Sequence, residues 1–485
     1  MPEPGRRRPN APRRGGRPPA PRRSVDPARL AAYDVLRAVR VDGAYANLAL
    51  PDLLRKHGLT GRDAGFATEL ASGTLRRQGT YDAVVAACVD RPLAKVEAKV
   101  LDALRLGAHQ LLAMRVPDHA AISTTVDLVR ARVGQGPAGF TNAVLRRVGE
   151  HDLASWVRRV APDVAGDPVG FAAVAHSHPR WVVSALAHAL ARAGRDAGEL
   201  DALLAADNEP PAVTLVARPG RVGRDELVAA TGGTPTQLSP HGVLLPGGDP
   251  GATDAVARGA AGVQDEGSQL VALALSEAPL DGRDERWLDL CAGPGGKAAL
   301  LAALAAGRGA RLSANEAQEH RTVLVRRALS EPDGALVAGV DEVVTGDGTA
   351  PRWEPGTFDR VLVDAPCSGL GALRRRPESR WRRTPGDLRD LVPLQRRLLD
   401  AALDVTRPGG LVVYATCSPV PAETVEVVDA VLAGRDDVRA LAPGAALPQV
   451  PDAAGPALAD GTATLQLWPH VHRTDAMFVA LLQRT

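Results

Sequence analysis

The chain's 485 residues give room for about three domains, and a hydrophobic fraction of 45% is enough to fill their cores. No apolar run reaches the roughly 20 residues that span a bilayer, and no leader-like segment follows Met1, so no membrane partner is expected. Four unevenly spaced cysteines exclude a disulfide framework and point to free thiols in a reducing cytoplasm, while the net charge of +2 is too small to speak for itself.

That charge is uneven. Residues 1–24 carry eight arginines against Glu3 alone, leaving the rest of the chain slightly acidic. Rich in Pro and Gly as well, this tail cannot bury a core and is expected to be disordered, either as a solubilising tail or as an arm that grips RNA phosphates. From Val25 to about Val160 the pattern is helical throughout. Lys95–Met114 sets Val96, Val100, Leu104, Ala108, Leu111 and Leu112 on one face at a 3.6-residue period. Thr60 with Asp63 reads as a capping box opening a helix to about Arg77. Gly139–Arg147, GFTNAVLRR, reads as an amphipathic helix with its paired arginines in water, and Cys88 as a core residue.

After Gly166 short helices alternate with short strands: a helix at Trp181–Ala193, a strand at Ala212–Ala217, a helix at Asp225–Ala230 and a strand at Val243–Leu245. The expected organisation is a tail at 1–24, a helical domain at 25–160, a small α+β subdomain at 161–262 and a larger α/β domain at 263–485. That last part opens on a strand at Arg286–Leu290, then the loop Cys291–Lys297, CAGPGGK, then an Ala/Leu helix. Strand-like segments follow, ending near Glu316, Asp347, Asp364 and Cys417, an order that predicts a parallel, doubly wound α/β sheet. Ligands of such sheets lie beyond the carboxyl ends of the strands, where Asp289, Glu316, Asp347 and Asp364 all fall.

Gly293, Gly295 and Gly296 match neither the dinucleotide G-x-G-x-x-G spacing nor a phosphate loop. A loop of small residues lets backbone approach a ligand, and amides opening a helix favour an anionic group such as a carboxylate. Glu316 stands where a second-strand acid would accept from ribose hydroxyls, and Asp347 where it would flank an adenine. A carboxylate, a ribose and an adenine without phosphates describe S-adenosylmethionine. Lys297 is conspicuous there, because the chain has only four lysines.

Cys367 and Cys417, in VLVDAPCSG (Val361–Gly369) and LVVYATCSP (Leu411–Pro419), each follow a strand end and would face one crevice. Two thiols fall short of zinc's usual four ligands, so no metal is expected, and a redox couple would more often use C-x-x-C. A thiolate beside an acid and a methyl donor fits methylation of a pyrimidine carbon. Addition at C6 puts electron density on C5, and the target base must leave its stack to reach the pocket. Asp364 would hold N3 and the exocyclic amine; of the two cysteines, one can attack and the other promote release.

These stretches, with VQDEGSQLVA (Val263–Ala272), DLCAGPGGK (Asp289–Lys297), YATCS (Tyr414–Ser418) and PHVHRTDAMFVALL (Pro469–Leu482), resemble the bacterial ribosomal RNA cytosine-C5 methyltransferases of the RsmB (Sun/Fmu) type. The helical part resembles the NusB-like RNA-binding module, with GFTNAVLRR as its closing helix. The resemblance implies an all-α NusB-like domain, a Rossmann-like S-adenosylmethionine-dependent methyltransferase domain, and RNA as the partner, small-subunit ribosomal RNA first. It implies Cys417 as nucleophile, Cys367 as the residue aiding release, and a cofactor site at Cys291, Ala292, Gly293, Pro294, Gly295, Gly296, Lys297, Glu316, Asp347 and Asp364.

Two departures stand out. The usual second-strand Asp is Glu316 here, and the usual P-E-E-N after TCS is PAET, which weakens any role carried over to Glu423. Arg374–Arg376 and Arg380–Arg383 are expected to contact phosphates beside the active-site mouth. Transfer RNA as substrate, and a non-catalytic assembly factor, are the alternatives; a cytoplasmic monomer is the default.

Overall fold

A computed structural model describes residues 25–485. The expected disordered tail at 1–24 lies outside the described residues. The N-terminal region is a bundle of eight α-helices: Pro27–Val41, Ala46–Lys56, Gly61–Arg76, Gln78–Cys88, Ala98–Leu112, Asp118–Arg132, Ala138–Val148 and Leu153–Val160. The apolar stripe predicted within Lys95–Met114 is real: Val100, Leu104 and Ala108 are buried against Val144 and Leu145. Cys88 is buried in the same cluster, and Arg146 and Arg147 are exposed. The capping box is not formed. The helix begins at Gly61, but Thr60 makes no side-chain cap bond.

Three further helices, Pro168–Ala175, Arg180–Arg192 and Glu199–Ala206, share an apolar cluster with Leu370, Leu373, Val420 and Trp468. Strands β1 (Thr214–Ala217), β2 (Thr234–Pro235), β3 (Gly242–Leu244) and β4 (Ala261–Val263) make a separate four-stranded antiparallel sheet, order β2-β3-β1-β4, with a small core of its own. The stretch 161–262 thus serves two clusters.

The C-terminal part is the Rossmann-like unit. Its strands are β5 (Arg286–Asp289), β6 (Arg311–Glu316), β7 (Val340–Thr345), β8 (Phe358–Asp364), β9 (Thr406–Thr416), β10 (Val438–Leu441), β11 (Leu465–Gln466) and β12 (Phe478–Arg484). They form an eight-stranded sheet in the order β10-β12-β9-β8-β5-β6-β7, with β11 beside β12. Five neighbouring strands, β9 to β7, are parallel; β12, an antiparallel insertion between β9 and β10, was not anticipated. Alternation builds the two faces. Leu362, Leu411, Val413 and Ala415 pack under helices Glu266–Glu277 and Gly296–Gly307. Val361, Val363, Val412 and Tyr414 pack under helices Asp387–Val405 and Val425–Leu432. Strand order reverses between β5 and β8, which opens the crevice at their carboxyl ends. Among the described residues no helix is long and apolar enough to cross a membrane.

Of the arginines expected to grip phosphates, Arg380 and Arg382 instead tie this unit to the N-terminal parts of the chain, and Arg374 and Arg375 pair with acids inside the unit. Arg380 is fully buried: Nη1 donates to the carbonyl of Ser177 (3.1 Å) and to Asn208 Oδ1 (2.9 Å), and Nη2 to the carbonyl of Asp207 (3.1 Å). Arg382 donates to the carbonyls of Val39 (3.0 Å) and Ala44, and Glu378 Oε1 accepts from the Ala46 amide at 3.1 Å. Arg374 and Arg375 face Asp265 and Asp475. Only a planar five-donor fork can satisfy several carbonyls at once, which is why these positions are arginine.

Candidate active site

Two adjacent parallel strands deliver the two cysteines. In the β8–β9 register Asp364 sits opposite Ala415, and the Ala365 amide donates to the Ala415 carbonyl at 2.9 Å. The chain after each strand therefore leaves the sheet side by side, and the Gly371 amide donates to the Cys417 carbonyl at 2.8 Å. Cys367 Sγ and Cys417 Sγ come to 3.4 Å. Lys297, on the first turn after the glycine loop, puts Nζ 2.9 Å from Asp364 Oδ2 and 3.3 Å from Ser268 Oγ.

The two thiols are unlike. The hydrogen bond from Cys367 holds the Cys417 thiol below its ordinary value, against burial and with help from the Lys297 ammonium. The same bond, then burial, pushes Cys367 well above its own. These opposite shifts make Cys417 the readier of the two thiols to ionise. Burial opposes the charge on Lys297, but the Asp364 carboxylate outweighs it and raises the ammonium's pKa. Burial also pushes the Cys291 thiol well above its ordinary value.

The expected cofactor residues line the β5 and β6 ends. Gly295 has φ +108°, and a Cβ there would meet Ala328 Cβ at 2.6 Å; at Gly293 a Cβ would run into Glu316 Oε2. Ala292 is buried and Pro294 exposed on the same turn, and Gly296 starts the helix that carries Lys297. Glu316 is buried; its Oε2 accepts from the Gly293 amide at 3.1 Å and its Oε1 from the Gln318 amide at 3.0 Å. Its longer arm reaches back to the loop. Asp289 at the end of β5 is fully buried with neither carboxylate oxygen hydrogen-bonded, and burial followed by the charge of Asp364 pushes it up to about 8. Asp347 stands apart: it is exposed, and its Oδ1 accepts from the amide and hydroxyl of Thr349. A bare glycine loop, an acid on the neighbouring strand end and an orphaned buried carboxylate fit a positively charged nucleoside such as S-adenosylmethionine. Among the described residues no cluster of three or more His, Cys, Asp or Glu could hold a metal.

Sequence reading missed several neighbours. Arg375 pairs with Asp475 and lies 3.5 Å from Asp265 Oδ2, so DEGSQ and RTDAM meet beside Cys417. Glu423, set aside because its motif departs from the usual one, is fully buried against both cysteine loops. The visible signal was the Cys-Ser pair repeated after β8 and β9.

A profile of the family described as 16S rRNA methyltransferase RsmB/F matches residues 278–483, and one of the NusB family matches residues 26–150. A Mycobacterium tuberculosis protein provisionally named as a methyltransferase is 52% identical over 96% of this chain and 98% of its own length. The Pseudomonas putida "Ribosomal RNA small subunit methyltransferase B" is 35% identical over 85% of this chain and 90% of its own. The Bacillus subtilis "Probable ribosomal RNA small subunit methyltransferase B" is 31% identical over 93% and 98%. The crystal structure of PH0851 superposes with a TM-score of 0.75 over 95% of this chain and 99% of that one, at 20% identity, and shows the shared fold.

Proposed function

The chain belongs to the RsmB/F methyltransferase family, which acts on RNA, and carries a NusB-family domain ahead of its catalytic unit; from that premise we propose that it methylates cytosine C5 in small-subunit ribosomal RNA through a covalent bond from Cys417 to C6. The observation that carries this reading is the 3.4 Å Cys367–Cys417 pair beside the Lys297–Asp364 ion pair. S-adenosylmethionine would be held by Cys291–Lys297 and Glu316 over the floor at Asp289, and it would supply the electrophilic methyl group. The Cys417 thiolate adds to C6 of an extruded cytosine, and the electron pair displaced from the C5–C6 bond makes C5 nucleophilic. Asp364, held in place by Lys297, would accept from the exocyclic amine and, as N3 takes up a proton when Cys417 adds, from N3–H. Once C5 carries the methyl group, a base takes its proton, the C5–H electron pair re-forms the C5–C6 double bond, and the C6–S bond breaks with its pair returning to the Cys417 thiolate. Cys367, the less readily ionised of the pair, stands where it can serve that release. The reading takes the protein to act as a monomer in the cytoplasm.

The test incubates Cys367→Ala and Cys417→Ala proteins with S-adenosylmethionine and unmodified small-subunit ribosomal RNA, followed by a denaturing gel. Cys367→Ala should carry RNA through denaturation. Cys417→Ala should carry none and should lose methyl transfer by at least about 10³-fold. An adduct with Cys417→Ala alone would reverse the roles, and methylation confined to transfer RNA would overturn the substrate.

A further inference from the structure

The Cys-Ser dipeptide occurs at both strand ends, and the two serines meet on one acid. Ser368 and Ser418 are buried, as is Glu423. Glu423 Oε2 accepts from Ser368 Oγ at 2.5 Å and from Ser418 Oγ at 2.6 Å, and the hydroxyls lie 3.1 Å apart. Its Oε1 accepts from the Ser368 amide at 2.7 Å and from Gln395 Nε2 at 3.2 Å; the same amide nitrogen of Gln395 also donates to the Pro366 carbonyl at 2.9 Å. The Glu423 carbonyl accepts from Tyr414 OH at 2.8 Å, which fastens the residue to β9.

Among the described residues no arginine, lysine or histidine forms an ion pair with this carboxylate. Burying an acid on neutral donors alone is costly, and an apolar residue would fill the space more cheaply. What an apolar residue could not do is bind the residue after each cysteine. We propose that Glu423 is a positioning residue that fixes the Cys367 and Cys417 loops relative to each other and so sets the distance between the two sulfurs. The inference rests on the proposed roles of that pair. Its charge acts in the same sense, since it disfavours ionisation of Cys367, whose thiol is raised first by the bond to Cys417 and then by burial.

The test reads the sulfur pair directly, on the full chain without RNA. Diamide takes two hydrogens from the two thiols, is reduced to its hydrazine form, and leaves a Cys367–Cys417 disulfide that peptide mass mapping identifies. Glu423→Ala should slow this closure by at least about tenfold, since misplacement by about 1 Å is enough for such losses. Glu423→Gln should stay within about threefold of the natural chain, because its amide oxygen can face the N–H donors and its NH₂ the hydroxyls. Where RNA methylation is measurable, kcat should fall with the closure rate while KM for RNA holds. Closure in Glu423→Ala at the natural rate, or in Glu423→Gln as slow as in Glu423→Ala, overturns the proposal. Should Glu423→Ala fail to fold, Ser418→Ala must slow closure severalfold, and an unchanged rate overturns it equally. If ribosomal RNA is not the substrate, methylation is absent from the natural chain while the closure comparison still stands.

Discussion

Lys297 and Asp364 keep 13% and 24% of their side-chain surface at the carboxyl ends of the central strands, whereas His178 and Asp207 keep 0% and 1% where the helical bundle meets the catalytic unit. Both clusters mix cations, acids and neutral donors. In the crevice the groups pair with one another and leave valences toward open space. At the junction Arg380 spends its donors on the Ser177 and Asp207 carbonyls and on Asn208. Burial pulls that guanidinium down to about 10 and pushes Asp207 up to about 7. One cluster opens toward a ligand; the other is shut away from solvent, with both Asp207 carboxylate oxygens, His178 Nε2 and Arg380 Nε lacking hydrogen-bond partners among the described residues, and the Arg380 fork ties its backbone together.

The sharpest way to break that contrast is to remove one cation from each cluster. Arg380→Ala strands four acceptors, the Arg76, Ser177 and Asp207 carbonyls and Asn208 Oδ1, and leaves the buried Asp207 without the cation that most lowers its pKa, a loss of about 3–5 kcal/mol in stability. Lys297→Ala leaves Asp364 able to find water in the crevice, so its cost should stay near about 1 kcal/mol while methyl transfer collapses. Urea unfolding and a methylation assay on both variants check this; equal stability losses would show the junction to be no more than another surface pair.

A pH series sharpens it further. Burial, the largest cause in each case, raises Asp207 to about 7 and Asp289 to about 8. An unfolded aspartate ionises near pH 4, so above that the folded chain holds protons the unfolded chain has lost. The corresponding stability is fully present below about pH 4 and is lost as pH rises through about 7 and 8. His178 is kept neutral by burial and adds nothing to the slope above its ordinary titration range. The melting temperature should therefore fall by a few degrees between about pH 6 and 9. Asp207→Asn should flatten the lower half of the fall and Asp289→Asn the upper half. A melting temperature rising over this range would contradict both assignments.

The two regions also differ in how far the sequence disclosed them. Asp289, Glu316, Asp364 and Cys417 could be placed because each ends or follows a short apolar run, and a strand end is a local signal. The Arg380 contacts join residues 172 and 203 positions apart, so no window of sequence contains them, and exposed arginines look the same as buried ones. For the same reason β12 was missed: it inserts between β9 and β10 from the end of the chain. Glu423 was misjudged differently. Its motif departs from the usual spelling, and only the folded loops show that its carboxylate reaches both serines.

The smallest expected effect lies at the rim of the junction. The Arg376 and Arg382 guanidinium carbons sit 4.8 and 5.3 Å from the Tyr45 ring centroid. A ring face attracts a cation by its quadrupole, but this site is only half-buried, and exposed pairs of this kind contribute about 0.5–1 kcal/mol. Arg382 also keeps its bonds to the Val39 and Ala44 carbonyls whatever stands at position 45. Tyr45→Phe keeps the ring and should leave the urea midpoint where it is. Tyr45→Leu keeps apolar contact without the quadrupole and should cost about 1 kcal/mol at most. If Leu and Phe behave alike, the ring is mere filling, and the grip between bundle and catalytic unit resides in the hydrogen bonds of Arg380, Arg382 and Glu378. If Leu costs as much as Arg380→Ala, burial is not what separates the strong contacts of this junction from the weak ones.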